Sequence, residues 1–344
     1  MLAFATHTWD GWDYMPRAWP IWLTADDGVL LVATVGPSTD GKPAVDANGE
    51  ALAADVPIAV SRVALVSANE GWVEGIRVDP RVRGLGVATD LQVAELHWLA
   101  AHRPAVTRYA TGARNEGSHR LGARHGFDLL ARYISWTWKD PGKPDEDDDE
   151  DATGFDEETR QDGNRRRGAL LERLAANGLI ASSSNAGALW ARLVDDRGFV
   201  EAGGLYERRS WTMQALNEAA FRRHLDAGEV VALTDSGWGV AILSREAEPA
   251  EDAGIHLGVI AGDTAGLAKL AHRIRAAAGE PIRFRLEANS FRDDLADALR
   301  AVGFQAWQWE LHILGRPGPS SAPPLDPARL ILGEKPKAVI RAPT

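Results

Sequence analysis

The chain has 344 residues, 45% hydrophobic and 25% charged, which is the balance of a globular protein of about two domains. It contains no cysteine, so disulfides, thiolate metal sites and a cysteine nucleophile are excluded. The net charge of −11 is concentrated in residues 140–164, where twelve acidic residues face two basic ones and leave the rest at −1. That remainder has no basic excess to hold nucleic acid. No run approaches the ~18 apolar residues of a membrane span, and the N-terminus lacks the basic start of a secretory signal. The expected location is cytoplasmic.

Residues 9–23, WDGWDYMPRAWPIWL, hold four of the thirteen tryptophans. Trp12, Met15, Trp19 and Trp22 share one helical face, with Pro20 expected to bend it. They form either a core-facing segment or a wall of a substrate pocket. Strands are expected at 29–35 and 56–66, joined by a long turn rich in Gly, Asp and Ala. The run from Trp72 to Val78 reads as a largely buried strand, ended by Asp79-Pro80. Arg81 to Gly86 is a loop with two glycines two apart. From Val87 the apolar positions Val87, Leu91, Ala94, Trp98 and Ala101 trace one helix face, closed by Pro104.

A strand, a glycine-rich loop and a helix start make an anion cradle. The first helix amides have no internal acceptor, and the dipole makes that end positive. Glycine lets backbone approach a ligand, and Arg81 and Arg83 add charge-assisted donors. A diphosphate ligand is therefore expected. The dinucleotide pattern GxGxxG fails at Thr89, and GxxxxGK[ST] is absent. What remains is Arg-x-x-Gly-x-Gly. The segment Arg81-Val-Arg-Gly-Leu-Gly-Val-Ala88, after a strand ending Val78-Asp-Pro80, resembles the acetyl-CoA pyrophosphate loop of the GNAT N-acetyltransferase superfamily.

The layout downstream is similar to that family as well. A strand is expected at 106–111, a short helix over Asn115 to Gly126, and closing strands at 127–131 and 133–139. Residues 140–164 read as an acidic, disordered linker, either a plain tether or a binding tail. Arg165-Arg166-Arg167 reads as a helix start facing that acidic run. From 165 the order repeats. Helices are expected at 169–179, 186–194, 217–228, 264–278 and 290–302, with strands at 230–233, 239–244, 255–260, 282–287 and 305–314. Asn289, Leu299 and Gly303-Phe304 parallel Asn115, Leu121 and Gly126-Phe127. The expected fold is α/β, a mixed sheet flanked by helices in two tandem GNAT-like domains. These are residues 1–139, for acetyl-CoA, and a degenerate 165–316, with 317–344 a tail without folding signal. The second loop, Ala261 to Gly266, has no arginine, and Asp263 would repel a diphosphate. That domain is expected to be structural, or to complete the first domain's acceptor pocket.

The resemblance implies site residues. Backbone amides over Val82, Arg83, Gly84, Leu85, Gly86, Val87 and Ala88, with Arg81, would hold the pyrophosphate. The strand edge near Val78 would take the pantetheine arm. Asn115 is either a pantetheine contact or a turn residue. Glu74, a carboxylate in an apolar strand, is the candidate base, raised in pKa by desolvation. Its alternatives are a pair with Arg77 or a surface position. Many family members place a tyrosine acid five residues before the Gly-Phe phenylalanine, and here that position is Gly122. The thiolate's proton donor is thus unassigned. No metal is expected, since no HExxH occurs and the histidines read as helix-surface residues.

Two segments, Asp10 to Pro16 with Trp22-Leu23 and Glu74 to Val78, resemble the vertebrate histidine N-acetyltransferase-like proteins. That resemblance implies a small amine or free amino acid as acceptor, with Asp13, Tyr14 and Arg77 as pocket candidates. Asp13 and Tyr14 are otherwise a helix cap and a core aromatic. Only about nine residues precede this motif, so the family's opening strand is missing. Either the sheet begins at its second strand or the C-terminal domain fills that edge. The expected partner is a small-molecule amine and the assembly kept open is a homodimer, with neither nucleic acid nor membrane. Two other readings stand beside the N-acetyltransferase: a catalytically silent acyl-CoA-binding module, and a tandem enzyme similar to mycothiol synthase.

Overall fold

A computed structural model of the chain describes residues 3–5, 13–36, 44–138, 157–209, 211–235, 237–243, 255–279, 282–287, 293–324, 330–332 and 337–340. The first half runs α1 (Met15–Thr24), β1 (Gly28–Val35), β2 (Ala44–Val45), β3 (Ala51–Leu52), β4 (Pro57–Ser67), β5 (Glu70–Val78), α2 (Val87–His102), β6 (Val106–Gly112), α3 (Glu116–Arg124) and β7 (Asp128–Trp138). There follow α4 (Glu157–Ala176), α5 (Ala186–Val194), α6 (Arg197–Glu201), β8 (Leu205–Arg209), β9 (Thr212–Ala215), α7 (Glu218–Asp226), β10 (Val230–Leu233) and β11 (Gly239–Ile242). The chain closes with β12 (Ile255–Leu257), β13 (Val259–Gly262), α8 (Thr264–Ala278), β14 (Ile282–Glu287), α9 (Asp293–Ala301), β15 (Gln305–Pro317), β16 (Leu330–Leu332) and β17 (Lys337–Ile340). This is the expected mixed α/β architecture.

Its contacts divide the chain into two compact units. One comprises residues 1–109, 117–128 and 315–344, the other 110–116 and 129–314. In the first, the strand order is β16, β17, β1, β4, β5, β6. β4 and β5 are antiparallel to their neighbours on the β1 side, whereas β5 runs parallel to β6 and β1 parallel to β17. The segment α2 lies across β4, β5 and β1. On the other face Met15 and Trp22 of α1 join Ala5 and Val60 in a buried cluster.

The tail expectation is overturned in part. β17 pairs in parallel with Val32 to Val35 of β1, so residues 337–340 of the expected tail, and not the C-terminal domain, lie along that edge of β1. An unpaired strand edge is a liability, and this pairing covers it. The two strands expected at 127–131 and 133–139 are one continuous strand, β7, and its outer half pairs antiparallel with β14.

The second unit packs α4, α8 and α9 around a core that includes Trp136, Leu170, Leu174, Leu270 and Leu299. It also contains the sheet β10, β11, β13 and the hairpin β8–β9, which sequence patterning missed. α4 begins at Glu157, inside the stretch read as linker, while 139–156 lie outside the described residues. The arginine triplet therefore sits within α4 and not at its start. Arg167 is buried, and burial lowers its pKa with Glu229 opposing. Among the described residues no helix is long and apolar enough to cross a membrane.

Removing residues 325–344 should expose the β1 edge and lower the thermal midpoint by several degrees. Equal melting of the shortened and full chains would show that β16 and β17 add nothing to the fold.

Candidate functional site

The β5 strand carries a bulge. Val60 pairs with Arg77 and Arg62 with Glu74, so Ser61 alone faces Gly75 and Ile76. Gly75 has φ +71°, and a Cβ there would come within 2.6 Å of the Trp22 ring and 3.3 Å of the Met15 sulfur. Glycine is required twice over, by its dihedral and by the close approach of α1. A bulge raises local twist. On the opposite edge, β5 pairs with β6 only from Glu70–Trp72 against Val106–Arg108. The Arg108–Glu70 ion pair is buried at this junction, and Ser67 Oγ donates to Glu70 at 3.0 Å. Leu99 of α2 packs so closely on Gly71 that a Cβ there would be 2.4 Å from it. Past Trp72 the two strands separate, leaving the β6-facing edge of Val73 to Val78 outside that ladder.

The strand delivers the chain into the loop through Asp79. Its carboxylate accepts the Arg81 backbone N–H at 2.9 Å and the guanidinium at 2.7 Å. The Arg81 hydrogen bond holds the Asp79 carboxyl below its usual range. A single turn, Pro80–Val82, follows. Gly84 and Gly86 then adopt φ +81° and +86°. Gly86 is the residue before α2 and offers no side chain to cap it. The amides of Val87, Ala88 and Thr89 thus lack an intrahelical acceptor. Space around the Gly84 position is open to 4 Å. Arg83 is exposed beside it, while Arg81 is held by Asp79. Of the loop amides expected to hold a diphosphate, those of Val82, Arg83 and Leu85 donate instead to Asp79 O, Pro80 O and Val82 O at 3.0, 3.3 and 3.4 Å, so Gly84, Gly86, Val87 and Ala88 form the positive cradle at one end of the separated strand edge. That is the arrangement a diphosphate with a long extended arm requires.

The matching junction of the second unit is closed. Asp263 caps α8 by accepting the Gly266 N–H at 2.7 Å, and also accepts the Trp238 N–H at 2.7 Å. A Cβ at Gly266 would lie 2.0 Å from the Trp238 carbonyl oxygen. Backbone and a carboxylate occupy the place a diphosphate would need.

On the α1 face, charges pair with one another. Arg62 is fully buried and its guanidinium reaches both Glu74 and Asp27. Glu74, expected as a lone carboxylate with Arg77 as its alternative partner, is instead the cross-strand partner of Arg62. Arg77 donates from Nε and Nη2 to Asp13 at 2.6 and 2.8 Å, and Tyr14 stacks 5.0 Å from its guanidinium. Asp13 also accepts the Met15 N–H at 3.0 Å. These pocket candidates are brought together, but as a buried ion pair under a helix start, with each charge already answered. Asp10 to Trp12 of the same motif lie outside the described residues. Asn115 belongs to the other compact unit, where its N–H donates to Gly112 O at 2.9 Å. Sequence reasoning missed Arg62 and Asp27; the signal available was an arginine inside the apolar run of β4.

Gly122 has a physical reason to be glycine. The Tyr109 hydroxyl would lie 2.0 Å from a Cβ there. That hydroxyl donates to Ser118 O at 3.0 Å, and its ring meets Phe127 edge-on at 5.1 Å. Burial pushes the phenol up to about 12. Tyr109 thus fills the space in which a side chain at 122 would begin.

The sequence profile of the acetyltransferase (GNAT) family matches residues 9–127, which contain the bulged strand, the cradle and α2. No curated protein matches the chain. Among solved structures, a GCN5-related N-acetyltransferase from Sphaerobacter thermophilus is similar at 13% identity over 79% of each chain, with a TM-score of 0.39. A tandem GNAT protein from the clavulanic acid biosynthesis pathway is similar at 12% identity, over 80% of this chain and 82% of its own, with a TM-score of 0.38. A GNAT family acetyltransferase from Elizabethkingia anophelis, solved with acetyl-CoA bound, aligns at 12% identity with 31% of this chain and 80% of its own, at a TM-score of 0.23. Likenesses of this degree assign no substrate. The match to the acetyltransferase (GNAT) family is thus confined to residues 9–127, the part of the chain that carries the bulged strand and the open helix start.

Proposed function

We propose that the first unit transfers an acetyl group from acetyl-CoA to the amine of a small molecule, a free amino acid being the first class to test. The observation that supports this most is the uncapped start of α2 beside a strand edge that has parted from its neighbour. Amides of Gly84, Gly86, Val87 and Ala88 would hold the pyrophosphate, and the Val73–Val78 edge would align the pantetheine and the acetyl carbonyl. Alignment turns an encounter into a unimolecular step. Backbone N–H groups on that edge are suited to the oxygen on which charge develops.

The neutral amine nitrogen attacks the thioester carbonyl carbon, the C–S bond breaks, CoA departs as thiolate, and the acylated nitrogen gives its surplus proton to solvent water. The acceptor ammonium must first lose a proton. Glu74 is the carboxylate within the Val73–Val78 edge, and to take that proton it must share Arg62 with Asp27. With Gly122 bare and Tyr109 turned to Ser118, the thiolate leaves unaided, which a leaving acid of pKa ~8.5 tolerates. Asp13 and Arg77 act as structure in this reading, since a substrate carboxylate would have to displace a buried bidentate partner.

A catalytically silent acyl-CoA-binding module has the same cradle. Both bind acetyl-CoA, and only the enzyme releases CoA thiol when an amine is supplied. The expected result is thiol release with at least one amine in a panel of amino acids, polyamines and aminoglycosides. Binding without release across that panel would favour the silent module, and absence of binding would remove both.

Glu74→Gln should lower kcat by ~10²-fold, the scale of a lost general base, while acetyl-CoA affinity stays near that of the parent. Unchanged kcat would exclude Glu74 from the proton transfer. Arg77→Ala leaves Asp13 buried without its partner and should destabilise the fold by about 3–5 kcal/mol. If denaturant unfolding were unaltered and only the KM of the amine rose, Arg77 would instead be a substrate ligand.

A further inference from the structure

The α2 stripe that faces the sheet is not purely apolar. Gln92 and Glu95 are buried among Leu91, Ala94, Leu96 and Leu99, and Glu95 has no exposed surface. Trp98 and Ala101, expected on that stripe, are in the more accessible part of the helix. Neither carboxyl oxygen of Glu95 hydrogen-bonds to any described residue, nor do Gln92 Oε1 and Ser61 Oγ. Ser61 is fully buried on β4, and it is the residue that alone faces the β5 bulge at Gly75 and Ile76. An unpartnered buried carboxyl destabilises a fold, so its presence directly beneath the bulge, on the helix that carries the cradle, points to use.

Among the described residues, the cations on the adjoining strands are engaged by other carboxylates. On β4, Arg62 is engaged by Asp27 and Glu74. On β5, Arg77 is engaged by Asp13 and Glu70 by Arg108. β1 carries no charged residue, and the side chain of Lys337 on β17 lies outside the described residues. On α2 itself Asp90 and His97 are the nearest titratable groups in sequence, and His97 contacts Pro323 O at 2.6 Å. Burial raises the Glu95 pKa to about 8, and the Ser61 hydroxyl, a neighbour that falls short of hydrogen-bond geometry, opposes the shift.

We infer that Glu95, in its neutral form, is a positioning residue for coenzyme binding. With Ser61 and Gln92 it seats the cradle-bearing helix against the strand opposite the bulge, and loss of its proton loosens that seat. The inference rests on the acetyl-CoA reading of the cradle. The sign follows from linkage. Folding favours the protonated acid, so no stability is lost below the unfolded value of 4.5. Stability falls as pH rises from there to about 8 and levels off above.

The test is acetyl-CoA affinity by calorimetry from pH 7 to 9, without acceptor, together with thermal midpoints. Over that range the ligand's phosphates, with a second pKa of ~6, are already ionised. Affinity of the parent should weaken about fivefold or more, the lower end of ordinary coupling between sites. Glu95→Gln should make affinity independent of pH in this window and should raise the thermal midpoint at pH 9 more than at pH 5. Ser61→Ala removes the group that lowers the Glu95 pKa, so it should move the transition to higher pH. This variant decides the matter if Glu95→Gln does not fold. A pH-independent parent, or the same pH dependence in both variants, would overturn the inference while leaving the acetyl-CoA reading intact. A merely structural Glu95 would move the melting curves and not the affinity. No binding by the parent at any pH would remove both together.

Discussion

The first turn of α2 has amides that its own helix cannot satisfy, and Gly86 before it supplies no side-chain cap. A serine, threonine or aspartate at the capping position would close such a turn on itself. Gly86, at φ +86°, cannot, and Asp79 directs its carboxylate backward to Arg81. The helix is held in that exposed state by packing further along, where Leu91, Ala94 and Leu99 are buried and Leu99 meets Gly71. Burial of those side chains stabilises the helix independently of its open end. That open helix end can persist without a ligand to support it.

The second unit shows what the same order of strand and helix does when a carboxylate is supplied. Asp263 accepts two backbone N–H groups, and the Trp238 backbone fills the space against Gly266. One junction is therefore open and electropositive, the other self-capped. The difference comes down to which residue precedes the helix and how near the neighbouring chain can come.

Charge on the α1 face is arranged for order more than for solvent. Arg62 ties together Asp27 and Glu74, and Arg77 ties β5 to the start of α1 through Asp13. Buried pairs of this kind are costly to break and set register strongly. They hold the bulge in place from one side while Ser61, Gln92 and Glu95 lie on the other. Strand, bulge and cradle thus form one mechanical unit, and any acceptor must bind against side chains that already have partners.

Local features were legible in the sequence because they depend on residues a few positions apart. The two glycines and the helix after them, the Asn217 cap of α7 and the full length of α8 are of this kind. They determined the mixed α/β class, the anion cradle and the closure of its counterpart. Tertiary structure alone decided the rest. The partners of Arg62 lie 12 and 35 positions away, and Asp13 meets Arg77 across 64. Residues 337–340 complete an edge begun at residue 32, and Tyr109 occupies the space that makes Gly122 a glycine. Periodicity places Glu95 beside an apolar stripe without saying that the stripe will bury it. Composition and spacing specify what a segment can do alone, whereas a buried charge, a strand edge or a filled cavity is defined by whatever the fold brings against it.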